Sequence, residues 1–315
     1  MAARLRLLLA LTVLSLGSSC VDRLEPDLIV WHAYRGAEED ALRAVVAEYQ
    51  TLHPDTIIEL VPVPHQALRN KLNSAVPRGN GPDLFIAAQE QVGAWSNAGV
   101  IAPLDSDLST ELESQIGESL LNAVRINGHQ WGIPIASKTT ALFYNPEALS
   151  QLGANVPQTM DELIATARRF SDPTENRFGL VYPSGDFYFH SAWLFGLGGA
   201  IEADDEPRID LEENDASMVF VAGLQDDSQI LPREAQYSLM SERFSSGNAL
   251  FVINGPWFLG ELGETPFAVA PLPTLPGGQP ARPFVTVESV FLTPQPSGDR
   301  RALAVDFMHY LAGPE

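Results

Sequence analysis

The stretch "ALFVINGPW", Ala249 to Trp257, decides how the rest of the chain is read. Its first residues form a run of buried-strand character, yet the run stops on Asn254-Gly255-Pro256 and then presents a tryptophan. In open α/β sheets, ligands bind beyond the carboxyl ends of strands. A large flat side chain placed there by a glycine turn is either core packing or a platform for something arriving from outside. Pro256 suits the first turn of a helix, so the strand is expected to feed a helix start.

Working outward, strand-like and helical segments alternate. "DLIVWH" (27–32) reads as a strand, and the spacing predicts a helix over 38–53, with Leu42, Val45, Val46, Tyr49 and Leu52 on one face. Glu38, Glu39 and Asp40 crowd its first turn, where the helix dipole favours acids, and Pro54 ends it. "IIELVPV" is strand-like, "HQALRNKLNSAV" helical, "GNGPDLFIA" a turn into a buried strand, and "QVGAWSNAGV" a short helix. Such alternation implies a largely parallel sheet. The pattern then changes at "INGHQWGIPIASKTTALFYNPEAL" (126–149), where Asn127-Gly128 is a hairpin turn signal. Ser137-Lys138-Thr139 interrupts two extended runs there. A second α/β region follows: "TMDE" (159–162) is a capping box, "FGLVYP" a strand, and "DFYFHSAWLFGLGG" a helix ended by glycine. "RPFVTVESVFLTP" returns as a long strand and "DRRALAVDFMHYLAG" as a helix. The acidic stretch "EADDEPRIDLEEND" (202–215) reads as a solvated loop, its oxygen spacing being poor for calcium. There is no internal repeat.

Composition bounds the function. The chain has 315 residues, is 45% hydrophobic and carries a formal charge of −21, with Lys71 and Lys138 its two lysines. That balance repels phosphate backbones and anionic headgroups, so nucleic acid is not an expected partner. Residues 1–20, "MAARLRLLLALTVLSLGSSC", have the basic start, apolar run and small-residue end of a secretory signal. The single cysteine, Cys20, cannot form an internal disulfide. "LGSSC" resembles the lipobox of bacterial lipoproteins, which implies acylation of Cys20, ordinary signal cleavage being the alternative. The expected location is therefore extracytoplasmic: periplasmic or cell-surface, held at the membrane by an N-terminal lipid anchor.

Four segments, in order, carry a resemblance: "GPDLFIAAQEQVGAWSNAGVIAPLD", "INGHQWGIPIASKTTALFYNPEAL", "SSGNALFVINGPW" and "PLPTLPGGQPARPFV". From about Leu28 to the last residue the chain resembles the family 1 extracellular solute-binding proteins of ABC importers, closest to their maltose/maltodextrin-binding branch. The resemblance implies a two-lobed periplasmic-binding-protein fold of type II, with hinge crossings near Ser137–Thr140 and Phe284–Glu288. It divides the chain into a first lobe of residues 21–136 plus 286–315 and a second lobe of 137–285. Family members continue into a third crossing and further helices, so the second lobe is expected to be incomplete. It further implies that Trp257 stacks on a sugar, whose C–H face suits a rigid indole. Tyr34, Arg35, Gln89, Glu90, Asp186 and Tyr188 fall at positions of polar and aromatic ligand contacts. Lys138 stands where the maltose type has an acid, and Ala87 and Gln91 replace an aromatic and a basic residue.

The implied function is a receptor for a neutral sugar or oligosaccharide, delivering to membrane permease subunits. Arg35, Lys138, Glu90 and Asp186 sum to zero charge, and charged hydrogen bonds to hydroxyls contribute about 1.5–3 kcal/mol each. The alternatives are a non-sugar solute, such as a polyamine or phosphorylated polyol, or a tethered sensor module. A glycosidase would need two carboxylates about 5–10 Å apart across one bond. Here Glu90 and Asp186 are assigned to opposite lobes, which suits clamping better than chemistry. The histidines lack metal-ligand spacing, no serine sits in a nucleophile elbow, and no cofactor motif is present, so neither metal nor cofactor is expected. Labelling with a palmitate analogue should mark the parent protein and leave Cys20→Ser unmarked; equal labelling of both removes the lipid anchor.

Overall fold

A computed structural model describes residues 25–203, 206–208, 211–233 and 236–313. The signal segment and Cys20 lie outside the described residues. Strand Leu28–His32 lies between Ile58–Pro62 and Leu84–Ala88 and is parallel to both. Helices Ala37–Leu52 and His65–Ala75 make the return connections that parallel pairing requires. Next to Leu84–Ala88 lies Thr286–Leu292, antiparallel to it and to the far strand Gly132–Lys138. The first sheet is therefore mixed, not largely parallel. Its fourth strand runs backwards because the chain re-enters this lobe from the other one.

Both faces of this sheet are covered, which is why its strands read as nearly unbroken apolar runs. Leu28, Val30, Leu84, Ile86, Val290 and Leu292 face Leu42, Val46 and Tyr49 of the first helix, with Phe307 and Met308 of helix Gly298–Ala312. Alternate residues Trp31, Phe85 and Phe291 face Leu68, Leu72 and Trp95 on the other side. Phe85 and Phe291 stack at 5.2 Å, with Trp95 edge-on to Phe85 at 5.1 Å. Full burial of each such side chain stabilises by about 1.5–3 kcal/mol. Leu52, expected on the buried face, is 64% exposed, since the helix ends there beyond the sheet.

The second lobe is built on a four-stranded sheet in the order Ala268–Ala270, Ala141–Tyr144, Ala249–Asn254, Phe178–Val181. All six residues of Ala249–Asn254 are buried, as its sequence implies. Trp193 and Tyr182 fill one side, the indole N–H donating to the phenol oxygen at 3.0 Å. Phe143, Phe244 and Phe258 fill the other. The capping box forms with its return bond shifted by one residue: the Thr159 hydroxyl accepts from the Glu162 amide, while Glu162 accepts from the amide of Gln158, just before the cap, starting helix Met160–Phe170. The Asn127-Gly128 turn forms too, with positive φ at both residues between Arg125–Ile126 and His129–Gln130. The acidic stretch is not all loop. Glu212, Glu213 and Asp215 open helix Glu212–Gln225, where the dipole favours them.

The chain passes between lobes at two places. Ser137 and Lys138 stay paired with Val287 and Thr286, so the first crossing narrows to Thr139 and Thr140. The second lies just before Thr286, because the returning strand starts there and not at Arg282. The two crossings are tied together by the Thr139 hydroxyl, which donates to the Phe284 carbonyl at 2.9 Å. Within the first sheet the register shifts between Glu288 and Ser289, which oppose Ala136 and Pro134. Pro134 has no N–H to give to the ladder, so a bulge there costs little.

Burial holds the imidazoles of His32 and His190 below the ordinary histidine value of 6.5; around His32, Glu39 opposes this and Arg43 adds to it. The unfolded chain takes up protons near that value while the folded chain refuses them. Their stabilisation is therefore complete above pH 6.5 and is lost as pH falls through the window below it. Thermal melting should give a lower midpoint at pH 5.5 than at pH 7.5, and His32→Phe should shrink the difference. An unchanged difference would remove His32 from this account.

Candidate functional site

At the end of strand Ala249–Asn254, the Asn254 side-chain oxygen accepts from the Gly255 amide at 2.9 Å, and Pro256 opens a 3₁₀ helix, Pro256–Glu261. A Cβ on Gly255 would come within 2.2 Å of the Trp257 ring. The indole therefore lies back across the glycine, in space that any other residue would fill. Phe258, not Trp257, enters the core; Trp257 stays half-buried at its rim. Its ring meets Tyr188 edge-on at 5.8 Å.

Tyr188 stands in the first turn of helix Phe187–Gly196, which Asp186 caps by accepting from the Tyr188 amide at 2.9 Å. The Tyr188 hydroxyl receives a hydrogen bond from Thr286 of the returning strand at 3.1 Å. Burial raises its pKa, and the carboxylates of Glu90 and Asp186 add to the effect, against Thr286 and Lys138. The phenol thus stays neutral. The bond from Thr286 ties this hydroxyl of the second lobe to a strand of the first sheet.

Lys138 is placed at the hinge as expected, but its ammonium is already held. Nζ lies 2.5 Å from Glu38 and 2.9 Å from Glu288, and 4.9 Å from the centre of the Tyr34 ring. Tyr34 donates its hydroxyl proton to Glu288 at 2.5 Å. Burial alone would depress the lysine pKa, but Glu288 and Glu38 outweigh it and hold it above the ordinary value. Burial, then Glu288 and Glu38, push the Tyr34 phenol far above the usual tyrosine range. Arg35 is spoken for as well. Its guanidinium reaches across to Glu261 of the second lobe at 3.1 Å, and Glu261 also accepts from Tyr237 and Ser241.

Gln89 uses its amide on the returning strand, accepting from Val287 N at 2.8 Å and donating to Val285 O at 3.4 Å. Glu90, beside it in the turn Gln89–Gln91, is exposed. The charge balance is therefore revised: Arg35 and Lys138 stand against Glu38, Glu90, Asp186, Glu261 and Glu288. Glu288 was legible as a carboxylate inside the apolar run "VTVESVFL"; Glu38 and Glu261 were hidden, since nothing local tells a helix-start acid from one that crosses to another element. A groove of about 560 Å³ lined by Thr139, Thr140, Val269, Leu272 and Pro283 opens beside the crossing and shares none of these side chains. Among the described residues, no group of His, Cys, Asp and Glu is arranged to hold a metal ion, and no helix is long and apolar enough to cross a membrane.

Removing one member of a shielded ion cluster leaves its partners unpaired. Lys138→Met should therefore lower stability in urea by about 2–3 kcal/mol. Lys138→Met with Glu288→Leu should recover more than half of that loss. A single variant as stable as the parent would show the cluster to be ornamental.

Comparison with known proteins gives this geometry its context. The family described as "Bacterial extracellular solute-binding protein" matches residues 35–315. The maltotriose-binding protein of Pyrococcus abyssi is 29% identical over 250 residues, covering 79% of this chain and 54% of its own. The chain thus spans about half the length of that relative. Among solved structures, the Thermus thermophilus maltotriose-binding protein bound with maltotriose superposes with a TM-score of 0.78 at 24% identity, covering 91% of this chain and 77% of that one. A cyclo/maltodextrin-binding protein complexed with maltotetraose gives a TM-score of 0.73 at 26% identity, covering 91% and 74%. The two-lobed type II fold is shared with these structures, and the chain belongs to the bacterial extracellular solute-binding proteins.

Proposed function

We propose that the protein is the extracytoplasmic receptor of an ABC importer and binds a neutral oligosaccharide of the maltodextrin type between its lobes, without catalysing a reaction. One observation carries this reading: Trp257, folded over Gly255, stands half-buried beside Tyr188, whose hydroxyl is bonded to Thr286 of the strand returning to the first lobe. An indole and a phenol at a cleft suit the apolar face and hydroxyl edge of a pyranose. The solved relatives bound to maltotriose and maltotetraose support the ligand class. Lobes of residues 21–136 with 286–315 and of 137–285 would close about the two crossings. A ligand touching Trp257, Tyr188 and Asp186 on one side and Glu90 on the other favours the closed state. Glu90 and Asp186 are the carboxylates left for hydroxyls, while Tyr34, Arg35, Gln89 and Lys138 shape the cleft through their bonds to other residues. Permease subunits are the partners, and Cys20 the anchor.

The surplus of carboxylates disfavours a phosphorylated polyol. It supports a polyamine as the second reading, because a cation would be drawn to Glu90 and Asp186. Titration calorimetry against glucose, maltose, maltotriose, maltotetraose and spermidine separates these. A maltodextrin should bind, and Trp257→Ala should weaken it about thirtyfold, the roughly 2 kcal/mol of a central aromatic contact. Binding of spermidine alone would replace the sugar reading, and an unchanged affinity in Trp257→Ala would return that ring to the core.

A further inference from the structure

The aromatic side chains do not stop at Tyr188. The Phe284 ring lies 6.2 Å from Tyr188, and the Phe187 ring 5.7 Å beyond that. With the 5.8 Å step from Trp257 to Tyr188, the four rings make a row of nearly even spacing. Phe284 is the fixed point of its far end. Its amide donates to the Ser191 hydroxyl at 3.1 Å, its carbonyl accepts from Thr139, and Phe195 packs edge-on at 5.3 Å. Phe187 leans on this anchor by an edge and remains 45% exposed. Val285, the next residue along the crossing, is 54% exposed.

A half-open phenyl ring at the first position of a helix is not required by the helix. Asp186 already caps it, and the opposite side is filled by Phe189, Ala192 and Trp193. Exposed apolar surface continuous with a cleft marks a contact surface. The ring is backed by an anchored neighbour and has only two side-chain torsions to lose, so stacking on it costs little entropy. Phe187 also sits beside the crossing, its ring against Phe284.

We propose that Phe187, backed by Phe284, is an outer stacking position for a further sugar ring, so that the cleft favours chains of three or more pyranoses over a disaccharide. The proposal rests on the sugar reading above. Its test is calorimetry of the 315-residue chain with maltose, maltotriose and maltotetraose, comparing the parent with Phe187→Ala and Phe187→Tyr. The parent should bind maltotriose more tightly than maltose. Phe187→Ala should cut that preference about threefold to tenfold, the worth of a peripheral aromatic contact, and Phe187→Tyr, which keeps the ring, should restore it. Equal thermal midpoints for the three proteins would exclude a folding effect. Maltodextrin binding whose length preference ignores Phe187→Ala overturns the outer position and leaves the receptor reading standing. A parent that binds none of the three sugars overturns both.

Discussion

The shielded cluster of Lys138, Glu38, Glu288 and Tyr34 is the constraint on which the rest of the molecule depends. Lys138 is the last residue of the strand before the first crossing, and Glu288 lies near the start of the strand after the second. Glu38 opens the first helix and Tyr34 follows the first strand. One ammonium therefore gathers three separate chain segments at the place where the lobes join. A charge pair of this kind is weak evidence for stability, since desolvation offsets much of the attraction. Its value lies in geometry: a hydrophobic contact would tolerate a slip in register, whereas an ammonium between two carboxylates does not.

That cluster changes what the neighbouring polar residues can do. Tyr34, Arg35, Gln89 and Lys138 look like ligand contacts when taken one by one, yet each also has a polar partner in another part of the protein. In the receptor we propose, that leaves the aromatic contacts around Tyr188, its neutral phenol, and the carboxylates of Glu90 and Asp186 for the ligand.

Much of the fold could be read before any coordinates. The buried run Ala249–Asn254, the capping box at Thr159 and the Asn127-Gly128 turn are local signals, and each formed as local chemistry directs. The direction of Thr286–Leu292 could not be read that way, because it is set by a chain returning from another lobe. Similarly, Leu52 obeys the helical period but outruns the sheet that would bury it. Trp257, Tyr188 and Asp186 were singled out by motif and position, and the structure brings them together: Trp257 against the Tyr188 ring, and Asp186 capping the helix that carries it. The partners Glu38 and Glu261 were not legible, since ion pairs between distant segments leave no periodic trace. Phe284 and Phe187 were hidden for the same reason: only the crossing brings them side by side.

The bond between Arg35 and Glu261 spans the two lobes on an open surface, with the arginine largely in water. Such a bond belongs partly to the surrounding medium. The screening length shrinks from about 10 Å in 0.1 M salt to about 3 Å in 1 M. In dilute surroundings the bond helps hold the two lobes against each other. In brine it fades. The salinity of the medium is thereby written into how firmly one lobe is tied to the other.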